Sequence, residues 1–498
     1  MISLVHGATV VQDADRWLSD AAVAFEGETI LAVGPFAELR ARWPEALLLG
    51  GPGALVMPGL VNAHDHGRGV STFERGLTDG PLESWRLEQS ARPQPAWYGQ
   101  ALYFGLLQMR SGITAFVHMH PTGAPPGKLL EMAGAALQAY KRLGLRVCFA
   151  LTAWDQNRLV YGDEAAFIEG LPSDLRNQAR ERLAPPVSLD ETVAVARELA
   201  QEARGSRVSV YLGPMAPQWC SESMLRALRR AADQLNSGLH MHLLETPYQR
   251  LWADRTFGRS VVEVLDEWGI VDERLTVAHG VWLSDHEIEL LARRGASLSH
   301  NPSSNLRLSN GVARVPAMLA RELNVGIGLD GMSLLEPDLF AEMRLALTLG
   351  RPPGVNSATL DARSVWRLAT QGGSRAALGR SDLGVLEAGR PADLLVLEGK
   401  GLFGPFTAVS RDPVEYTLWR GRPDLVQTVI VGGETLLENG QPLVADPSAV
   451  AAQLNQELSE IEARSAADRW HIELARHAAQ FFADWQIPSE GWTPPVGS

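Results

Sequence analysis

The stretch that best indicates the fold is Val56-Met57-Pro58-Gly59-Leu60-Val61-Asn62-Ala63-His64-Asp65-His66, in which an apolar run typical of a buried strand ends in two histidines. His64 and His66 are two positions apart, so on a strand both side chains point to the same side. Two neutral imidazoles that converge on one point are ligands that a borderline divalent ion prefers. A His-x-His pair on its own is more often a turn or a hydrogen-bonded pair. The preceding strand reverses that preference, and we interpret the pair as half of a metal site.

The region from residue 56 to 380 alternates short apolar strands with amphipathic helices, which is typical of a parallel α/β domain. The candidate strands are Leu55–Ala63, Ala115–His120, Arg146–Thr152, Val208–Pro214, Gly238–Glu245, Leu275–His279, Ala296–His300 and Val325–Asp330. Eight such strands predict a closed (β/α)8 TIM barrel. In a barrel of this kind the reacting groups lie at the carboxyl ends of the strands, which is where the histidine pair is placed.

Both ends of the chain are rich in short β-type runs, and we expect them to form one small β-sandwich domain. Its parts are residues 1–55 and 381–445, and residues 446–498 follow as a helical tail that packs outside the barrel. Two long inserts, Arg68–Tyr98 and Trp154–Pro186, each follow a barrel strand. Loops at that edge of a barrel cover substrates, so the inserts favour a closed small-molecule pocket over the open cleft of a polymer or peptide hydrolase.

The 498 residues are 45% hydrophobic and 21% charged, which is the balance of an ordinary soluble globular protein. The formal net charge is -13 and the arginines are scattered, so nothing provides the basic stripe that nucleic acid requires. Two cysteines, Cys148 and Cys220, exclude a disulfide framework and favour a reducing compartment. Because the first residues lack a basic leader and no apolar run reaches about 18 residues, we expect a cytoplasmic protein that does not associate with a membrane.

Three further strand ends carry groups that can bind a metal or move a proton. His242 is followed three residues later by Glu245, so a ligand and a proton carrier share one strand end. His279 ends the next strand, and taken alone it would be interpreted as a buried, hydrogen-bonded histidine. Asp330 closes an apolar strand, where burying an unpaired carboxylate is costly unless a metal or a proton compensates. A turn before Gly331 is the alternative for Asp330, and the surrounding histidines make it the weaker one.

Polar and aromatic residues near the same edge are candidates for substrate binding. His118 and His120 share a face at the end of the second strand, where a substrate contact and a supporting role behind the ligands are equally favoured. His240 has the parity of His242 but lies one layer deeper, which favours a supporting role. Tryptophans in loops are more often packing anchors than ligand contacts. The remaining residues that could offer flat walls or amides to a ring substrate are Trp85, Trp219, Asn301 and Asn305.

Five ordered motifs span nearly the whole chain. They are Met57-Pro58-Gly59-Leu60-Val61-Asn62-Ala63-His64-Asp65-His66, His242-Leu243-Leu244-Glu245-Thr246, Ala278-His279-Gly280, His300-Asn301-Pro302-Ser303-Ser304-Asn305, and Ala369-Thr370 with Gly389-Arg390-Pro391-Ala392-Asp393. Together they resemble the motifs of the amidohydrolase superfamily. Within it, the chain looks like the branch that holds the triazine chlorohydrolases, the S-adenosylhomocysteine and methylthioadenosine deaminases, and the guanine deaminases.

The resemblance implies a mononuclear metal enzyme. One divalent ion, Zn²⁺ in preference to Fe²⁺, is implied to be bound by His64, His66, His242 and Asp330. The residues implied to move protons are Glu245, His279 and Asp330. Binuclear relatives carry a carboxylated lysine at the end of the fourth strand, and Val208–Trp219 contains no lysine, so a second ion bridged in that way is not expected. A homodimer is implied by the family alone.

The implied reaction is the hydrolytic deamination of a nitrogen heterocycle of the aminopurine, pterin or triazine type. The ion lowers the pKa of its bound water from about 15.7 toward 7, and the metal-bound hydroxide attacks a ring carbon that bears an exocyclic nitrogen. In this scheme Asp330 accepts the proton of the water, Glu245 protonates a ring nitrogen, and His279 steadies the tetrahedral centre. Ammonia or an amine then leaves.

Two departures from the family's pattern concern the substrate. Many relatives have an acidic residue where this chain has His118-Met119-His120, and often a histidine where it has Met215. The alternative reaction for the same site is removal of a halide, alkylamine or thioether from a heteroaromatic ring, or hydrolysis of a cyclic amide. An inactive scaffold is disfavoured, because every predicted ligand and Glu245 are present.

Overall fold

Two eight-stranded sheets organise the protein, as seen in a computed structural model of the chain. One sheet forms the wall of a barrel, and the other belongs to a smaller domain built from both chain ends. The structure describes residues 1–89, 94–121, 123, 125, 127–183, 187–331, 337–351, 360–405, 412–464 and 470–487.

The strands follow one another along the chain as sixteen elements. They are β1 Ile2–Val11, β2 Trp17–Glu26, β3 Thr29–Pro35, β4 Leu47–Pro58, β5 Leu60–Asn62, β6 Ile113–His120, β7 Arg146–Ala153, β8 Val208–Pro214, β9 Leu239–Leu243, β10 Leu275–His279, β11 Ser297–His300, β12 Asn324–Ile327, β13 Leu394–Glu398, β14 Val426–Val431, β15 Glu434–Glu438 and β16 Gln441–Pro442.

The helices are interspersed with these strands. They are α1 Phe36–Arg42, α2 Leu82–Gln89, α3 Trp97–Arg110, α4 Leu129–Leu143, α5 Glu164–Glu169, α6 Ser173–Leu183, α7 Leu189–Glu202, α8 Glu222–Leu235, α9 Pro247–Phe257, α10 Val261–Glu267, α11 Asp285–Arg293, α12 Pro302–Arg307, α13 Val315–Ala320, α14 Leu339–Leu349, α15 Ala362–Ala369, α16 Gln371–Leu378, α17 Gly399–Phe403, α18 Pro413–Arg420, α19 Pro447–Arg464 and α20 Trp470–Ala483. Short 3₁₀ helices lie at Pro217–Trp219 and Pro423–Leu425.

Strands β5 to β12 form the barrel wall in chain order, and all of their pairings are parallel. The wall closes because the Ala63 N–H donates to the Ile327 carbonyl oxygen at 2.8 Å and the Asp330 N–H donates to the His64 carbonyl oxygen at 2.9 Å. Every residue of β6 and β7 is buried, as expected for parallel strands covered on both faces. The predicted (β/α)8 barrel is confirmed.

The strand that the sequence predicts over Leu55–Ala63 is divided at Gly59, between β4 and β5. The Gly59 N–H donates to the Asp393 carbonyl oxygen at 3.1 Å, on the side of the small domain. The next residue, Leu60, already pairs with the barrel strand β6. A Cβ atom on Gly59 would lie 2.1 Å from Oγ1 of Thr114, so the close approach requires glycine.

Both chain ends contribute to the second sheet, as their β-rich sequences predict. Its order is β16-β15-β14-β13-β4-β1-β2-β3, so β4 joins the N-terminal strands to the C-terminal ones. Strand β4 pairs in parallel with β1 and antiparallel with β13. Apolar side chains from both ends, including Val5, Val23, Val396 and Ile430, pack into one buried core. The two ends therefore fold as one unit.

A buried ion pair joins this small domain to the barrel. Arg146 begins β7 and Asp393 directly precedes β13, and both side chains are almost fully buried. Nε and Nη2 of Arg146 donate to the two carboxylate oxygens of Asp393 at 2.6 and 2.9 Å. The Gly432 N–H also donates to Asp393 Oδ1, at 2.8 Å. Bidentate pairs of this kind fix orientation as well as distance.

The two inserts form short helices, α2 in the first and α5 and α6 in the second, and residues 90–93 and 184–186 of these inserts lie outside the described residues. The predicted helical tail forms α19 and α20. Phe482 of α20 packs against the rings of Tyr161 and Tyr248, with centroids 5.1 Å apart in both pairs. The tail therefore supports the inserts from outside. Among the described helices, none has both the length and the apolar character to cross a membrane.

Candidate active site

Four side chains converge at the carboxyl edge of the barrel. They are the four predicted metal ligands, and one ligand atom of each lies within 4.8 Å of all the others. His64 and His66 follow β5, His242 lies in β9, and Asp330 follows β12. Asp330 Oδ1 lies 3.3 Å from Nε2 of His64 and 3.2 Å from Nε2 of His66. The sequence-predicted ligand set is thus brought together in space.

The protonation of the histidines fits a divalent ion. Burial is the main reason that the pKa of His64 falls to about 4 and that the pKa of His242 falls well below its usual value, so both rings are neutral. His64 Nδ1 bonds with His240 Nε2 at 2.9 Å, and His242 Nδ1 donates to the Met215 carbonyl oxygen at 2.7 Å. Because these bonds use Nδ1, Nε2 of His64 and Nε2 of His242 stay available to bind a metal. Among the described residues, Nε2 of His64 has no hydrogen-bond partner, which is the orphan that an ion would satisfy.

Asp65 lies between the two histidines and holds the ligand segments together. Its Oδ1 accepts the His66 N–H at 2.7 Å and the Gly331 N–H at 3.0 Å. Asp330, next to that glycine, adopts a left-handed backbone with φ of 51°, which is strained for a residue with a side chain. Sequence analysis did not assign a role to Asp65, because its contact with residue 331 is visible only in the folded barrel.

Asp330 is a charged carboxylate. Burial acts to raise its pKa, but the imidazoles of His64, His66 and His279, with ring nitrogens 3.3, 3.2 and 3.8 Å from the carboxylate oxygens, outweigh burial and hold the pKa of Asp330 well below the usual range. Ser304 Oγ donates to Asp330 Oδ2 at 2.5 Å. Asp330 is therefore able to bind a cation and to accept a proton.

Glu245 has the opposite electrostatic character. Burial, and then the negative charges of Asp330 and Glu83, raise its pKa well above the usual range. Asn310 Nδ2 donates to Glu245 Oε1 at 2.8 Å, and the Glu245 N–H donates to Gln249 Oε1 at 2.8 Å. A carboxyl group whose pKa is raised keeps its proton to higher pH, which suits it to donate that proton to a substrate.

His279 lies between these two acids. Its Nε2 is 3.8 Å from Asp330 Oδ2, and its Nδ1 is 3.8 Å from Glu245 Oε1. Nδ1 donates to Asn305 Oδ1 at 2.8 Å, which directs the lone pair of Nε2 toward Asp330. Burial lowers the pKa of His279, and the neutral ring can accept a proton on Nε2.

A cavity of about 480 Å³ opens onto these groups. Of the residues predicted from sequence, those that line it are His66, Trp85, Trp219, His242, Glu245 and Asp330. Arginines that sequence analysis did not single out also line it, namely Arg68, Arg86, Arg158 and Arg307. They come from the two inserts and from α12, so their positions depend on loop structure that no periodic pattern predicts.

His118 and His120, for which a substrate contact and a supporting role were equally favoured, do not line the cavity. On β6 the barrel interior is faced by Val117 and Met119, so the two histidines point instead toward the outer helices. His118 Nδ1 bonds with the hydroxyl of Tyr140 at 2.7 Å, and His120 packs against Trp97 with ring centroids 4.6 Å apart. The two side chains share one face of the strand, as predicted, and that face points away from the barrel interior.

Asn301 and Asn305 also lie away from the cavity wall. Both side chains are fully buried and contact Nδ1 of His279, with Asn301 Nδ2 at 3.3 Å and Asn305 Oδ1 at 2.8 Å. The structure places both amides against His279, where sequence analysis expected a contact with substrate. His240, expected to support the ligands, lies behind His64.

Comparison with known proteins places this site in a family. The family model described as the amidohydrolase family matches residues 55–436, and one described as a bacterial imidazolonepropionase-like composite domain matches residues 21–46. The chain is 34% identical to a 5-methylthioadenosine/S-adenosylhomocysteine deaminase from Nitratidesulfovibrio vulgaris over 463 residues, which cover 91% of this chain and 96% of that protein.

Solved structures show the same architecture. An adenosine deaminase from Xanthomonas campestris with bound zinc matches with a TM-score of 0.78 and 29% identity, covering 92% of this chain and 98% of that one. A triazine hydrolase from Arthrobacter aurescens matches with a TM-score of 0.76 and 26% identity, covering 92% and 99%. The barrel, the ligand set and these matches agree, and the chain belongs to the amidohydrolase family.

Proposed function

We propose that the protein is a metal-dependent aminohydrolase that removes the amino group from a nitrogen heterocycle, with an aminopurine as the substrate class. One observation carries the proposal: Glu245 and Asp330 line the same cavity beside the histidine cluster, and their surroundings shift the pKa of Glu245 upward and the pKa of Asp330 downward. A pair of carboxyl groups with pKa values pushed apart supplies one proton donor and one proton acceptor.

The reaction assigns each group a task. His64, His66, His242 and Asp330 would hold a divalent ion, which would supply the Lewis acidity that activates water at neutral pH. Asp330 accepts a proton from the attacking water, and the neutral Nε2 of His279, 3.8 Å from Asp330 Oδ2, can share that proton. Glu245 donates its proton to a ring nitrogen and so balances the charge that develops in the ring. The proton taken up by Asp330 then passes to the amino nitrogen, the C–N bond breaks and ammonia leaves, and the remaining hydroxyl proton restores the acid form of Glu245.

The relatives support the substrate class and the metal. The curated relative and one solved neighbour are named as deaminases of adenine-containing compounds, and that neighbour binds zinc. We propose zinc as the ion in this protein, and iron is the alternative that metal analysis would reveal. The cavity walls include Trp85 and Trp219, whose rings offer flat apolar contact to a heterocycle.

The likeness to a triazine hydrolase keeps the alternative reaction open, in which a halide, alkylamine or thioether leaves instead of ammonia. The deciding experiment measures ammonia release from aminopurines, aminopterins and aminotriazines by the zinc-loaded protein, beside chloride, amine and thiol release from substituted triazines. We expect ammonia from at least one aminopurine and its loss in Glu245→Gln. Product without ammonia would overturn the deaminase proposal.

The cytoplasmic location, the homodimer and the domain limits at residues 55, 380 and 445 stay predictions. Sedimentation of the purified protein would test the homodimer, and limited proteolysis would test the domain limits.

A further inference from the structure

A second buried carboxylate lies close to Glu245 but does not face the cavity. Glu83, on α2, is 3% exposed, whereas its neighbours Trp85 and Arg86 line the cavity. Glu83 Oε1 accepts hydrogen bonds from Thr246 Oγ1 at 2.5 Å and from the Tyr161 hydroxyl at 3.4 Å. Burial raises the pKa of Glu83. A buried carboxyl group is costly unless its hydrogen bonds are made, so this arrangement is held by its partners.

The hydrogen bonds of Thr246 connect Glu83 to Glu245. Thr246 Oγ1 donates to Glu83 and accepts the Gln249 N–H at 3.2 Å, which caps the start of α9. Gln249 in turn accepts the Glu245 N–H on Oε1 at 2.8 Å. The backbone of Glu245 is therefore tied, through two side chains, to a carboxyl group on the covering helix α2.

Tyr161, the other hydrogen-bond donor to Glu83, lies in the second insert and contacts the tail. Tyr161 is 1% exposed, and its ring packs against Phe482 of α20 with centroids 5.1 Å apart. Glu83 is thus the point at which the first insert, the second insert and the end of strand β9 meet. Glu83 therefore connects α2, which carries cavity residues, to the strand end that carries Glu245.

We propose that Glu83 is a positioning residue for Glu245, which holds helix α2 against the strand end that carries the proton donor. The inference rests on the proposed function, because the placement of Glu245 matters to the rate only if Glu245 donates a proton. Misplacing a reacting group by about 1 Å can cost roughly 100-fold in rate. The effect of losing Glu83 should therefore fall on kcat more than on KM.

The experiment compares wild type, Glu83→Ala, Glu83→Gln and Thr246→Val with an aminopurine substrate at saturating zinc. Glu83→Ala and Thr246→Val should each lower kcat by roughly 10- to 100-fold with a smaller change in KM. Glu83→Gln keeps an acceptor oxygen for Thr246 and should stay within about 3-fold of wild type. Glu88→Ala, on the same helix, is the matched control and should behave as wild type.

Two kinetic outcomes would overturn the inference: a kcat for Glu83→Ala within about 3-fold of wild type, or a Glu83→Gln variant as impaired as Glu83→Ala. Thr246→Val removes the same bond from the other side together with the cap on the Gln249 N–H, and Thr246→Ser, which keeps both bonds and should behave as wild type, is its control, so the test stands even where Glu83→Ala does not fold. Zinc content and melting temperature are measured for each variant, so that metal loss or unfolding is recognised.

Amide hydrogen exchange gives a readout that needs no substrate. Exchange should become faster at residues 82–89 and 245–249 in Glu83→Ala and Thr246→Val, and should remain slow in Glu83→Gln. If wild type released no ammonia while these exchange changes appeared, the proposed function would fail and the structural link would stand. If wild type were active and the exchange rates did not change, the inference about Glu83 would fail.

Discussion

Asn310 donates a hydrogen bond of 2.8 Å from its side-chain amide to Oε1 of Glu245, and both side chains are buried. Because Oε1 accepts from the amide, the acidic proton is expected on the other oxygen of Glu245. The Asn310 N–H also donates to the carbonyl oxygen of Asn305, the residue that bonds with His279. The segment from Asn305 in α12 to Asn310 just after it therefore orients the proposed proton donor and the histidine beside it.

Replacing Asn310 should change the pH dependence of the reaction. The bond from Asn310 lowers the pKa of Glu245 against the larger effect of burial, so Asn310→Leu should raise that pKa further. Glu245 must be protonated to donate, and activity is lost as the pH rises through its pKa. The alkaline limb of the pH profile should therefore move to higher pH.

The same variant should lower kcat at neutral pH by roughly 10-fold, because the hydrogen bond that orients the acid is lost. Profiles of kcat and of kcat/KM between pH 5 and 10 are the measurement, and Asn455→Ala, at an exposed position of the tail, is the control. An alkaline limb that stayed in place or moved to lower pH would contradict the role given to Asn310.

Removal of the metal should abolish activity, and the loss should be reversible. Dialysis against a chelator should remove one ion per chain, and added Zn²⁺ should restore the rate. His242→Ala should not regain stoichiometric zinc, since one of the four converging ligands is lost. His286→Ala is the matched histidine control, because His286 is 54% exposed and pairs with Glu263 away from the site. Full activity in the metal-free protein would reject this site as catalytic.

The convergence of the four candidate ligands was predictable from sequence, whereas their supports, apart from His240, were not. His64, His66, His242 and Asp330 stand at strand ends, and a parallel barrel brings all strand ends to one edge. Asp65 and Asn310 act through partners that are distant in the chain, so neither periodicity nor spacing marks them.

His118 and His120 show a different limit of sequence reasoning. Alternation along a strand predicts that they share a face, but it does not say which face points inward, because both faces of a barrel strand are apolar. Packing against Tyr140 and Trp97 decides the question in favour of the helical side.

His240 should tune metal affinity without binding the metal. Its Nε2 bonds with Nδ1 of His64 at 2.9 Å, which fixes the ring of that ligand. His240→Phe keeps a flat ring but removes the bond, and zinc affinity should fall by roughly 10- to 100-fold. Competition with a chromogenic zinc chelator measures the affinity. If the variant bound zinc as tightly as wild type, the hydrogen bond would have no role in holding the ligand.

The ion pair between Arg146 and Asp393 should stabilise the fold, with no direct role at the metal site. Asp393→Ala leaves a buried guanidinium without its carboxylate, which should lower the free energy of unfolding by about 3–5 kcal/mol. Replacing both members, as Arg146→Met with Asp393→Leu, removes the buried charges together and should recover part of that loss. Urea titration followed by fluorescence measures the difference between the variants.

Arg226→Ala, in a surface pair with Glu222, should change stability by less than about 1 kcal/mol. An Asp393→Ala variant as stable as Arg226→Ala would show that the small domain and the barrel are held together by apolar packing alone.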